Sequence, residues 1–157
     1  MTSEASLAKA LARLQSLCAR SEQCSSAVRA KALKALDGDE GAASKALEAL
    51  VRDGFIDDAR FASAFARDKS RFEGWGPAKI RFALLSKGLG EAAIGEALSG
   101  LDPAPALGKL RSALSLKLRS LRSDPLARPK LLRLAQSRGF SFSEAAPLVD
   151  ELLRDQE

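Results

Sequence analysis

The sequence predicts an all-α protein, built as an elongated, curved array of three tandem three-helix repeats. Apolar residues make up 46% of the 157 residues, but only 5% are aromatic and Val and Ile are few, so Leu and Ala must form most of the core. That composition favours helices over strands. Glycine-ended helical segments also recur after about fifty residues, at Gly88 and Gly139, a period that is typical of stacked helical repeats.

The first repeat is predicted to cover residues 1–54. Its first helix has one apolar face, formed by Leu7, Leu11, Leu14 and Leu17. Ser25 or Ser26 is a candidate cap for the second helix. The third helix is expected to bury one face, formed by Ala43, Leu47, Leu50 and Val51. Gly54 then suits the left-handed position just past a helix end.

The second repeat is predicted to cover residues 55–101. Asp57 is a good N-cap for the fourth helix, whose spacing predicts a buried stripe of Phe61, Phe65 and Phe72. Pro77 suits the first position of the fifth helix, where its missing N–H costs little. That helix is expected to bury Ile80, Leu84 and Leu85 and to end at Gly88. A short sixth helix follows, over about residues 91–98.

The third repeat is predicted to cover residues 102–157, after a proline-rich linker. Its seventh helix has leucines at helical spacing, at Leu107, Leu110, Leu114, Leu118 and Leu121. Asp124-Pro125 breaks that helix. The eighth is expected to end at Gly139, and Ser143 is a candidate cap for the ninth.

Charge is distributed unevenly along the chain, whose formal net charge is +5. Residues 37–58 hold seven acids and two bases, whereas residues 60–87 hold seven bases and two acids. Residues 106–143 add nine bases and one acid. The middle and C-terminal parts are therefore electropositive, which indicates either a solvated helical surface or a polyanionic or acidic partner.

Most catalytic chemistry is disfavoured by the composition. The chain has no histidine, so the commonest general base, the usual catalytic triads and a frequent metal ligand are missing. Asp57 and Asp58 are expected to stabilise the start of the fourth helix, as its N-cap and in its first turn, rather than to form a metal or acid/base pair. Cys18 and Cys24 are expected to be reduced thiols in a cytoplasmic protein. We expect no enzyme, no catalytic residue, no metal site, no cofactor and no membrane-spanning segment.

Basic side chains on the second and third repeats are the candidates for partner binding. Arg60, Arg67 and Arg71 are spaced so that one helical face presents all three. The full predicted set is Arg60, Arg67, Arg71, Trp75, Lys79, Arg81, Lys87, Lys130, Arg133 and Arg138. For any single basic residue, shielding of apolar surface is the competing explanation. Trp75, between two glycines, suits either a core anchor or an exposed contact.

The segment GFIDDARFASAFARDKSRFEGWGPAKIRFALLSKGL closely resembles the RecX family, bacterial regulators of the RecA recombinase. The resemblance is carried by Gly54-Phe55-Ile56-Asp57-Asp58, Arg60-Phe61-Ala62, the basic helix to Arg71, Gly74-Trp75-Gly76-Pro77, and Lys87-Gly88. It extends more weakly over nearly the whole chain, to Arg138-Gly139-Phe140. It implies three tandem three-helix repeats and a non-catalytic modulator.

The resemblance further implies a monomer that binds RecA and its nucleoprotein filament on single-stranded DNA. The binding is expected to reduce ATP hydrolysis, strand exchange and co-protease activity. The alternative is a helical protein that binds single- or double-stranded DNA directly, through its basic faces. Against that alternative, the sequence predicts no set of exposed aromatic side chains for stacking on bases.

Overall fold

A computed structural model describes residues 2–156, which contain nine helices and no strand. The helices are α1 (Glu4–Arg20), α2 (Ser25–Ala35), α3 (Glu40–Arg52), α4 (Asp58–Glu73), α5 (Pro77–Ser86), α6 (Glu91–Ser99), α7 (Ala104–Arg119), α8 (Ala127–Ser137) and α9 (Phe142–Arg154). The predicted all-α class with helices in groups of three is confirmed.

The chain packs as two compact units. One combines the chain up to Ala64 with Leu84–Ala97, and the other combines Phe65–Ala83 with the chain from Leu98 onward. In the first unit, α1, α2 and α3 pack on one another around a core of alanine, leucine and valine. In the second, α7, α8 and α9 surround a leucine-rich core. The exact repeat boundaries stay a prediction.

The predicted helix ends at Gly54, Gly88 and Gly139 are confirmed. These three glycines have φ angles of +80°, +82° and +93°, in the region that glycine adopts without the steric cost of a Cβ. After α3, the Phe55 N–H donates to the Leu50 carbonyl at 2.9 Å, which closes the helix end as expected. Sequence alone therefore places these helix ends well.

Two of the predicted caps differ from the structure. Asp57 does cap α4, since its Oδ1 accepts from the Arg60 N–H at 3.1 Å. For α9, however, the cap is Ser141 and not Ser143, and Ser141 forms a capping box with Glu144. The start of α2 has no side-chain cap of its own, so the prediction of a Ser25 or Ser26 cap is wrong.

Asp58 stabilises the start of α2 from 33 residues away. Its carboxylate accepts from the Ser25 N–H at 2.8 Å and from the Ser25 hydroxyl at 2.6 Å. The Ser26 hydroxyl in turn donates to the Lys87 carbonyl, just after α5. Within the first unit, Asp58 thus supplies the acceptor that the Ser25 N–H at the start of α2 needs, and Ser26 supplies a donor for a carbonyl just past the end of α5.

Three residues predicted to be buried are exposed. Val51 is 51% exposed, Phe72 67% and Leu85 45%. Periodicity defines the angular position of a side chain around its helix, but it does not determine which turns a neighbouring element covers. Each of these residues lies in one of the last two turns of its helix, where that cover is missing.

Candidate partner-binding surface

Arg67 and Arg71 form an exposed pair of cations on α4. Both residues are exposed, and neither forms a salt bridge with any described residue. Their spacing of four residues places them on the same face of the helix. The Arg71 guanidinium carbon lies 5.7 Å from the centre of the Phe72 ring, within cation–π range. These two charges are therefore available to a partner.

Arg60, the third predicted member of that face, is engaged inside the first unit. Its Nε donates to Glu22 Oε1 at 2.6 Å, and its Nη2 donates to the Gly54 carbonyl at 3.1 Å. The hydrogen bond that Arg60 donates to Glu22 is the main reason that the pKa of Arg60 is raised. The geometry gives Arg60 a structural role at the start of α4, and partner binding by Arg60 stays a prediction.

Trp75 is half-buried and lies between cationic side chains. The Nζ atoms of Lys69 and Lys79 lie 4.8 Å and 4.7 Å from the centre of its ring. The Phe65 ring meets it edge-on at 6.2 Å. An aromatic ring attracts cations to its face, so the tryptophan holds both ammonium groups close to it. Trp75 is thus a local anchor that also concentrates positive charge.

The Gly-Trp-Gly-Pro turn docks on the end of α8 within the second unit. The Gly76 N–H donates to the Arg138 carbonyl at 2.7 Å, and the Ala78 N–H donates to the Gly139 carbonyl at 3.0 Å. A Cβ added to Gly139 would lie 2.4 Å from the Lys79 Cβ, so only glycine fits there. This contact brings three predicted site residues, Trp75, Lys79 and Arg138, into one region.

The other predicted basic residues are dispersed. Lys130 Nζ lies 2.7 Å from Asp124 Oδ2, and this hydrogen bond is the main cause that lowers the pKa of Asp124. Arg133 is exposed on α8, Arg81 is half-buried and Lys87 is exposed. We find Arg67 and Arg71 to be the clearest exposed pair among the candidates.

Exposed aromatic residues were missed by sequence reasoning. Phe72 is 67% exposed and Phe82 is 74% exposed, so the prediction that no exposed aromatic set exists is wrong. Each directly follows an arginine, Arg71 and Arg81 respectively, but Arg60-Phe61 shows the same pattern with a half-buried Phe61, so the sequence carries no reliable signal of this exposure. An aromatic ring next to a guanidinium group is chemically suited to nucleobases as well as to protein side chains.

The described residues offer neither a cluster for a metal ion nor a helix that could span a membrane. No group of three or more His, Cys, Asp or Glu residues within residues 2–156 is arranged to hold a metal ion. Over the same residues, every helix is too short or too polar to cross a bilayer.

Comparison with known proteins points to one family. The family model described as "RecX, second three-helix domain" matches residues 57–98, the segment that contains Arg67, Arg71 and Trp75. A regulatory protein RecX from Chlorobium phaeobacteroides is 34% identical over 116 residues, covering 73% of this chain and 75% of that protein. Another, from Clostridium botulinum, is 33% identical over 122 residues, but this chain spans only 55% of its length.

Solved structures give the same result. A crystal structure of regulatory protein RecX matches with a TM-score of 0.78 at 27% identity, covering 96% of this chain and 72% of that one. The structure of RecX from Lactobacillus salivarius, only 18% identical, shares the fold with a TM-score of 0.79. Sequence and structure agree, and the chain belongs to the RecX family of regulatory proteins.

Proposed function

We propose that this protein binds the RecA recombinase filament on single-stranded DNA and inhibits its ATPase, strand-exchange and co-protease activities. Membership in a family of regulatory proteins supports a modulator rather than an enzyme. The observation that carries the proposal is the pair Arg67 and Arg71, two exposed cations without salt bridges in the segment that matches the family model.

Repeated, weak contacts suit a filament as the target. A chain with cations on several helices can touch more than one subunit of a polymer, and linked contacts bind far more tightly than each contact alone. Exposed arginines also accelerate association with acidic or nucleic-acid surfaces, because the attraction acts before contact. The two arginines lie outside both hydrophobic cores, so we expect their replacement to leave the fold intact.

The direct test is the DNA-dependent ATPase of RecA, measured while this protein is titrated in. We expect hydrolysis to fall as the added protein approaches the concentration of filament subunits. An unchanged rate at several-fold excess over subunits would exclude the inhibition.

The arginine pair is tested with the double variant Arg67→Glu/Arg71→Glu. We expect at least tenfold weaker filament binding with an unchanged helical circular dichroism spectrum, since the replacements reverse two exposed charges (about 1.4 kcal/mol per tenfold change). The matched control is Lys9→Glu/Arg13→Glu, which makes the same charge change at the same spacing on an exposed face of α1. If both double variants lost filament affinity equally, net charge alone would explain the loss and the arginine pair would have no specific role.

A second candidate function is direct binding of single-stranded DNA. The observation that favours it is the exposure of Phe72 and Phe82, each beside an arginine. Stacking of a base on an aromatic side chain contributes about 1–3 kcal/mol, so Phe72→Ala and Phe82→Ala would each weaken DNA binding at least several-fold. Fluorescence anisotropy with a labelled oligothymidylate at several salt concentrations measures this. Undiminished binding by both alanine variants would refute base stacking.

A further inference from the structure

The first unit has a groove with an apolar floor and an acidic rim, which we call the acidic groove. It lies where α3 ends and α4 begins, and its volume is about 540 Å³. The groove is lined by Ser25, Leu47, Val51, Ile56, Asp57 and Asp58. Val51 is 51% exposed, so the apolar floor is open to solvent. An aliphatic side chain can therefore enter the groove.

The rim of this groove is negatively charged. The Asp57 and Asp58 carboxylates accept hydrogen bonds only from backbone N–H and hydroxyl groups, which leave their charges in place. Glu48, one turn before Val51 on α3, is exposed and forms no salt bridge within residues 2–156. The groove thus suits a partner that combines an aliphatic side chain with positive charge.

The second unit has the opposite combination at residues 116–126, which we call the basic corner. This segment leads from the end of α7 to the start of α8. Leu116 is 66% exposed and Leu126 is 57% exposed. Between these leucines lie three exposed basic residues without a salt bridge to any part of the chain that the structure describes, namely Lys117, Arg119 and Arg122. Asp124, the one acid of the segment, is paired with Lys130 at 2.7 Å.

Hydrogen bonds hold the basic corner in a defined conformation. Asp124 Oδ1 accepts from the Leu126 N–H at 2.8 Å, and the Asp124 N–H donates to the Leu121 carbonyl at 3.0 Å. Little backbone order has to be gained when such a segment binds, which lowers the entropic cost of association. The basic corner is therefore suited to docking as it stands.

We infer that the basic corner of one copy of this chain docks in the acidic groove of a second copy. An exposed leucine of the corner packs against Val51, and Arg119 and Arg122 face the acidic rim. Charge complementarity selects a second copy as the occupant, because the chain itself carries both matching surfaces. Since two different surfaces meet, the contact is head-to-tail, and each copy keeps one surface free for the next.

The size of the two surfaces sets the strength of the contact. Each has about five or six residues, whereas a stable interface has about 20–30 residues a side. We therefore expect a dissociation constant on the order of 0.1–1 mM, so that the dilute protein is monomeric. Copies bound side by side on a polymer reach effective concentrations in the millimolar range, where the contact forms. The interface does not depend on the proposed function, which would only supply the polymer.

Analytical ultracentrifugation of the unmodified protein, from about 10 µM to about 0.5 mM, tests the self-association. At the highest concentration the weight-average mass should be at least about 1.5 times the monomer mass of 16.7 kDa. Raising the salt concentration from about 50 mM to about 500 mM should weaken the association several-fold, because exposed charges are screened. A monomer at every concentration, or association that salt does not weaken, would overturn the inference.

Two variants each remove one of the surfaces. The corner variant is Arg119→Glu/Arg122→Glu. The groove variant is Glu48→Arg/Asp57→Asn, in which asparagine preserves the cap of α4. Each variant alone should remain monomeric, with an unchanged circular dichroism spectrum. Lys9→Glu/Arg13→Glu, which makes the same charge change as the corner variant on α1, should associate like the unmodified protein.

An equimolar mixture of the corner and groove variants gives the decisive result. The corner variant keeps its acidic groove and the groove variant keeps its basic corner, so the mixture should form dimers and nothing larger. A mixture that stays monomeric, or a single variant that associates as tightly as the unmodified protein, would refute the head-to-tail contact. These measurements contain no RecA, so their outcome is separate from that of the ATPase titration, which decides on the proposed function.

Discussion

The docking of the Gly-Trp-Gly-Pro turn gives the sharpest stability prediction, which is the replacement Gly76→Ala. A Cβ at this position would lie 2.4 Å from the Gly139 carbonyl oxygen and 2.5 Å from its carbon. Those atoms are backbone and cannot rotate away, so the turn must move from the end of α8. The movement would break the hydrogen bonds of the Gly76 and Ala78 N–H groups, at 2.7 Å and 3.0 Å.

The magnitude follows from these contacts. Two backbone hydrogen bonds contribute about 2 kcal/mol to stability. Alanine also loses a few tenths of a kcal/mol relative to glycine at a helix N-cap but gains about 0.4–1 kcal/mol by restricting the unfolded chain. Gly76→Ala should therefore lower the free energy of unfolding by roughly 1–3 kcal/mol, or the melting temperature by about 3–8 °C.

Urea denaturation followed by Trp75 fluorescence measures this effect next to the mutated residue. The matched control is Gly108→Ala in α7, where an added Cβ meets no atom within 4 Å. Removing a glycine from a helix interior should raise stability by up to about 1 kcal/mol. The reasoning would be refuted if Gly76→Ala proved as stable as the unmodified protein while Gly108→Ala behaved as expected.

Three further perturbations test other contacts. Asp58→Ala removes both bonds to Ser25, and we expect about 1–3 kcal/mol lower stability in urea denaturation; an unchanged midpoint would contradict this cap. The pKa of Asp150 is lowered by its hydrogen bond from Arg128, so the pair stabilises the fold above the ordinary carboxyl pKa of 3.8 and loses this effect as pH falls through the lower folded value. Asp150→Asn should thus be less stable at neutral pH but converge with the unmodified protein in acid, and a constant difference at all pH values would refute the pairing. Burial raises the pKa of the Cys18 thiol, so iodoacetamide should label Cys18 more slowly in the folded than in the urea-denatured protein. Peptide mass spectrometry measures the two labelling rates, and equal rates would contradict the burial of Cys18.

Local chemistry made the helix ends predictable from sequence. Glycine tolerates a positive φ angle and aspartate accepts from nearby N–H groups, and both properties act within a few residues. Gly54, Gly88, Gly139 and Asp57 accordingly lie in the predicted conformations. The all-α class followed from composition for the same reason, because helices form through short-range contacts.

Long-range contacts explain the predictions that failed. The Ser25 N–H at the start of α2 donates to Asp58, which lies 33 residues further along the chain. No sequence pattern near Ser25 predicts this contact. The partner of Arg60 is Glu22, 38 residues away, so the predicted basic face of α4 has only two members with no salt bridge. The exposure of Phe72 is likewise a long-range effect. It depends on which turns of α4 are covered by neighbouring elements, and periodicity does not predict that packing.

The bond between Asp58 and Ser25 has a consequence for dissecting the molecule. A fragment that ends at residue 54 would contain all of α1, α2 and α3 but would lack the carboxylate that holds the first turn of α2. Such a fragment should show a frayed α2 and noncooperative melting, whereas extension through α4 should restore a sharp transition. Sequence periodicity and autonomous folding are thus different ways to divide this chain.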